Sequence, residues 1–266
     1  MKKRRVLSVV LAASMFAMLL TGCGGGNQGS AEGSQAAAIG QGVAEAESCI
    51  KIGVSGTPDL DPAIVNTGSS LIAAINIYDT LIFPSNEADE GVIPRVAEDW
   101  TISEDGLTYT FNLKKGIKFH NGDELTASDV VYSMDRLLTI GEGYAYIFTS
   151  YVEPGTTVAV DDYTVEFHLK QAYGPFINAL VRLYILNEDE VKANTQSAGN
   201  YGENGDYGRT YLLTHDAGSG AYKAVELVQQ DYSMLSRIRI GLWDGRMRKL
   251  RNLNRWLSPK QPQFER

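Results

Sequence analysis

Three histidines, two cysteines and a few carboxylate clusters are the groups of this 266-residue chain that could hold a metal or act on a bond. His120, His168 and His215 stand far apart, without the short helical spacing that brings two imidazoles onto one ion. His120 follows Phe119 in a turn and is expected to hydrogen-bond locally, while His168 falls on a strand face. Asp161-Asp162 and Glu188-Asp189-Glu190 are read as acidic pairs in turns, solvated rather than catalytic. Neither a nucleophile elbow nor a phosphate-binding loop occurs. The expectation is a non-enzyme with no metal and no cofactor. Binding chemistry has better material. Tyr144, Tyr146, Phe148 and Tyr151 crowd residues 141–151, and aromatics on a loop can stack on a ligand or, equally, close a hydrophobic lid over the body.

The elements around these groups are legible. Thr108–Leu113 alternates apolar and polar residues, the mark of a half-buried strand. Asp105-Gly106 and Asn121-Gly122 are turn pairs, because glycine takes positive φ freely. Thr126 is a good N-cap with Asp129 three residues on, and Val130, Val131, Met134, Leu137 and Leu138 repeat at helical spacing. Residues 50–55 read as a strand, 56–62 as a turn-rich loop, and 67–81 as a helix burying Leu71, Ile75 and Tyr78, or Ile72 and Ile75. Residues 157–169 form two short strands around Asp161-Asp162-Tyr163, and 175–186 helix then strand. Residues 194–209 read as a loop, 218–223 as a glycine turn, and 226–234 as one strand.

The stretch 98–137 also carries a resemblance. Its series W-x-x-S-x-D-G-x-x-Y-x-F-x-L-x-x-G-x-x-F-H-x-G-x-x-L-T-A-x-D-V is met by Trp100, Ser103, Asp105, Gly106, Tyr109, Phe111, Leu113, Gly116, Phe119, His120, Gly122, Leu125, Thr126, Ala127, Asp129 and Val130. This is similar to the defining segment of the family 5 extracellular solute-binding proteins, the peptide, oligopeptide and nickel receptors of bacterial ABC importers. Asp61-Pro62, Tyr78-Asp79-Thr80-Leu81 and Gly218-Ser219-Gly220-Ala221-Tyr222 match further family segments, with Ser219 and Ala221 as departures. The resemblance implies an α/β, periplasmic-binding-protein-like type II two-lobe fold, of which only most of the first lobe is present. It implies capture of a peptide or other small solute for ABC permease and ATPase subunits, with a chain truncated to most of one lobe expected to be non-functional or impaired. The loop 63–69 would then border the ligand cleft and make Asn66, Thr67 and Ser69 candidate contacts beside Tyr144 and Tyr146. Forming the turn and capping the next helix is an equal use for Asn66, Thr67 and Ser69. A nickel or other solute receptor, or a surface lipoprotein for adhesion or sensing, is the alternative function.

Both termini have a distinct character. Residues 1–22 read as a signal peptide, with Lys2, Lys3, Arg4 and Arg5 before an apolar run too short to span a bilayer. The run ends in Leu20-Thr21-Gly22-Cys23, which resembles a lipobox, so Cys23 is expected to carry the lipid anchor on the outer face of the cytoplasmic membrane. Residues 23–48 are a Gly/Ser/Ala-rich flexible tether, and Cys49 at its end is a small, partly buried residue without a disulfide partner. Residues 49–235 are the partial lobe. Between residues 23 and 236 there are 11 Lys+Arg against 30 Asp+Glu, which excludes nucleic acid as a partner. Residues 237–266 reverse this to 9 against 2. The segment 236–266 is expected to be a non-family basic tail read out of frame; a genuine basic extension or membrane-surface helix is the rival, though Trp243, Leu250 and Trp256 are poorly spaced for one.

Overall fold

The computed structural model describes residues 53–238 apart from 55, 89, 90, 229 and 230. The readings made for the signal peptide, Cys23, the tether, Cys49 and the tail beyond residue 238 lie outside the described residues. So does most of the strand expected at 50–55; its described part, Gly53 and Val54, carries no strand. In chain order come α1 (Gly68–Ile77), β1 (Ile82–Pro84), β2 (Val92–Pro94), β3 (Ala97–Ile102), β4 (Thr108–Leu113) and α2 (Ala127–Ile140). There follow β5 (Thr157–Asp161), β6 (Thr164–His168), α3 (Phe176–Ala179), α4 (Glu188–Ala193), β7 (Tyr222–Val228) and β8 (Tyr232–Arg237). Among the described residues no helix is long and apolar enough to cross a membrane.

β4 is an inner strand of a four-stranded antiparallel sheet with the order β3-β4-β6-β5. Its alternation turns Tyr109, Phe111 and Leu113 inward. The register sets Tyr109 opposite Phe167 and Phe111 opposite Val165, so a period of two gathers the large side chains on one face. Phe176 of α3 closes that face, with its ring 4.8 Å from Tyr109 and 5.6 Å from Phe167. The β3–β4 turn is held by Asp105, which accepts from the Ser103 hydroxyl and, at 3.0 Å, from the Leu107 amide.

α2 starts where its capping pattern says. The Asp129 carboxylate accepts from the Thr126 amide at 2.8 Å and from the Thr126 hydroxyl at 3.1 Å. Val130, Met134, Leu137 and Leu138 are buried, and the helix lies against β5 and β6. It stops at Gly141, which takes φ 70°.

Four expectations are corrected. α1 ends at Ile77 rather than residue 81, because Tyr78 turns into extended backbone and its hydroxyl donates to the Leu60 carbonyl at 2.8 Å. Its buried face is Ser70, Ala73, Ala74 and Ile77, while Ile72 and Ile75 are 40% and 45% exposed. Size decided this, not apolarity. A Cβ on Gly218 or Gly220 would collide with the backbone at Ile77, so the glycine turn seats against the C-terminal end of α1. Residues 183–187 form no strand, since Ile185 bonds to Asp79 and Asn187 to Ala217, two segments that make no common ladder. The single strand at 226–234 divides into β7 and β8, which pair from Tyr222–Arg237 to Val228–Tyr232. Finally, Glu188-Asp189-Glu190 are the first turn of α4, where the helix N-terminus favours carboxylates.

Candidate functional site

The first loop is fixed by Asp61. Its carboxylate accepts from the Ala63 amide at 3.0 Å and takes both Arg136 nitrogens at 2.7 Å. Arg136 is fully buried and donates its Nε to the Tyr207 carbonyl at 2.8 Å. Burial alone would lower the Arg136 pKa; the Asp61 carboxylate outweighs it, and the net direction is up. Pro62–Ile64 then form a 3-10 turn. Thr67 is the N-cap of α1: its hydroxyl accepts from the Ser70 amide at 3.1 Å and donates to the Ser70 hydroxyl at 2.8 Å. The Ser70 hydroxyl in turn donates to Asp59 at 3.1 Å. Ser69 is buried and within 3.1 Å of the Thr67 hydroxyl, whereas Asn66 is exposed.

The second loop, 141–151, separates its aromatics into two uses. Phe148 is fully buried and Tyr151 stacks on Tyr173 at 3.8 Å between centroids. Tyr144 is half-buried, with the Arg182 guanidinium 4.8 Å above its ring. Tyr146 is 71% exposed.

The two loops touch. Gly143 has φ 53°, and a Cβ there would fall 2.7 Å from the Ala63 carbonyl oxygen and 3.0 Å from the Val65 amide. Asn66 and Tyr146 therefore belong to adjoining loops, although 80 positions apart by number. Beside them Pro62, Ala63, Arg182, Leu183 and Tyr184 line a small recess closed by Ser133 and Leu137 of α2. Burial pushes the Tyr184 hydroxyl up, and the hydrogen-bonding and charge of Arg182 beside it act against that. At ~100° per residue, Tyr132 and Asp135 of α2 face away from this recess and border a wider groove with Glu188 and Lys192.

Sequence reasoning missed several of the polar groups. His120 does not bond only locally: its Nδ1 lies 2.5 Å from Asp216 and its Nε2 3.0 Å from the Gly220 carbonyl, joining positions about a hundred residues apart. Asp79 accepts from Arg95 at 2.6 Å and from the Ser219 hydroxyl at 2.9 Å. Arg182 had one available signal, as a single cation inside the apolar run 175–186. Among the described residues no group of three or more His, Cys, Asp and Glu could hold a metal ion.

Comparison with known proteins gives a consistent set. The model of the family described as bacterial extracellular solute-binding proteins, family 5 Middle, matches residues 91–254. The probable D,D-dipeptide-binding periplasmic protein DdpA of Escherichia coli K12 is 31% identical over 64% of this chain and 32% of its own length. The glutathione-binding protein GsiB of Salmonella choleraesuis is 29% identical over 72% of this chain and 34% of its own. Among solved structures, the periplasmic binding protein DppA of Helicobacter pylori, in complex with the peptide STSA, superposes with TM-score 0.59 at 28% identity. That match covers 71% of this chain and 38% of the other. The chain thus spans about a third of the length of the curated relatives it matches.

Proposed function

The chain belongs to the bacterial extracellular solute-binding proteins of family 5, and from that premise we propose that it captures a peptide or similar small solute on the face made by residues 62–69 and 143–147. The described residues have the fold of part of one lobe of the type II binding proteins. The supporting observation is the close approach of Gly143 to Ala63 and Val65, which makes the loops carrying Asn66 and the exposed Tyr146 neighbours. The rigid Asp61–Arg136 pair beneath supplies the preorganisation that binding needs. The solute is passed to an ABC permease with its ATPase subunits, and the chain is held at the outer face of the cytoplasmic membrane by lipid on Cys23. Cys23→Ser would release it from the membrane fraction; retention of that variant would sink the anchor.

The described residues form part of one lobe, so the test reads one side of the ligand face. Chemical-shift titration with unlabelled di- and tripeptides is the fitting test. Shifts confined to residues 62–69 and 143–147 are expected, and Tyr146→Ala should weaken them roughly five- to tenfold without altering stability, as loss of one aromatic contact does. Peptide-induced shifts elsewhere in the lobe, with these loops silent, would overturn the reading.

A further inference from the structure

We infer that Arg182 and Tyr184 form a subsite for a carboxylate of the bound solute. This rests on the reading of the two loops as the ligand face, and it names the chemistry that face selects.

Arg95, Arg136 and Arg209 each meet a carboxylate, at 2.5, 2.7 and 2.8 Å. Arg182 differs: among the described residues no carboxylate lies within ion-pair distance of it. The guanidinium is instead held over the Tyr144 ring and beside the Tyr184 hydroxyl, a placement that leaves its remaining edge N–H donors for another partner. The Tyr184 hydroxyl, on a residue 4% exposed, interacts with Arg182 and has no carboxylate or carbonyl partner for its own proton. Arg182 can only donate to that hydroxyl, so the hydroxyl's proton stays available to an acceptor. Two donor groups thus converge at one recess between the 3-10 turn Pro62–Ile64 and α2. Donors alone select an acceptor, and a planar fork with a hydroxyl beside it suits a carboxylate better than an amine. The carboxylate can be the free C-terminus of a short peptide or an acidic side chain.

Two experiments test this on the full chain. In the first, the Arg182 Nε–Hε signal, identified by its loss in Arg182→Lys, is followed through titration with sodium acetate and with acetamide. A saturable shift with acetate alone is expected, weakened about threefold or more by Tyr184→Phe, which removes one donor. In the second, Ala-Ala, Ala-Ala-amide and Glu-Ala-amide are compared. A preference of roughly tenfold for whichever carboxylate the subsite takes is expected, and Arg182→Gln should reduce that preference to near unity while leaving the amide unchanged. An Arg182 signal indifferent to acetate would overturn the inference, as would a preference that Arg182→Gln leaves intact; peptide binding itself would then still stand. Acetate bound at Arg182 with no peptide bound anywhere supports the subsite and removes peptide as the solute.

Discussion

Asp61 and Arg136 illustrate how a buried pair is revealed only by its partner. They exchange two hydrogen bonds of 2.7 Å at 2% and 0% side-chain exposure, across 75 positions of sequence. Removing one member leaves the other charged in a medium that cannot solvate it. Asp61→Ala should therefore cost about 3–5 kcal/mol, whereas Asp61→Leu with Arg136→Met should recover most of that loss, since apolar packing replaces the pair. Urea denaturation of the two variants measures both; equal destabilisation by the single and the double change would refute the account. The same residues mark a limit of sequence reading. Thr126 and Asp129 could be recognised because their bond spans three positions and is encoded locally. Asp61 was noticed only as part of a matched dipeptide, and Arg136 not at all. A charge on an amphipathic helix looks solvated until the packing of the loop over it is known. The exposed Tyr146 and buried Phe148 were likewise indistinguishable, being two aromatics of one loop whose fates depend on where Phe176 stands.

At the scale of elements, local alternation located β4, β5 and β6 and failed where distant segments meet. β4 has the predicted bounds, and β5 and β6 fall either side of Asp162 as alternation requires. For α1 periodicity weighs oiliness, whereas its buried face is made mostly of small side chains and its C-terminal backbone packs on Gly218 and Gly220. That junction also receives the amide of His120, which donates to the Gly218 carbonyl at 2.8 Å, and the Gly220 amide donates to the Ile77 carbonyl at 2.8 Å. Gly218→Ala should thus separate α1 from β7 and from the turn around His120 together. The expected cost is about 1–3 kcal/mol, as for other overpacked sites. Hydrogen exchange locates the effect: amides of His120 and Gly220 should lose protection, whereas those of β4 and β6 should retain theirs. Uniform loss across the sheet would mean that the glycine turn is not a separate joint.

At the scale of the whole molecule, two opposed forces act on this chain in solution. Residues 23–236 carry 19 more acidic than basic groups, which keeps copies apart at low ionic strength. Against this stand large apolar side chains left uncovered on the lobe: Ile72 and Ile75 on α1 are 40% and 45% exposed, and Phe83 and Ile93, paired across β1 and β2, are 41% and 36% exposed. β7 and β8 add a two-stranded hairpin with few buried positions, and such ribbons are marginal alone. In relatives about twice as long as this chain, the matched part is about a third of the whole. Screening shortens the repulsion to roughly 8–10 Å near physiological salt, while the apolar attraction is not screened. Self-association should therefore rise with salt, opposite to assembly driven by ion pairs. Ile72→Lys with Ile75→Lys should suppress it while changing stability by less than about 1 kcal/mol, because both side chains already face solvent. Sedimentation velocity at low and high salt decides the matter: association that weakens as salt is added would assign it to charge, and association unchanged by the two lysines would place the sticky surface elsewhere than α1.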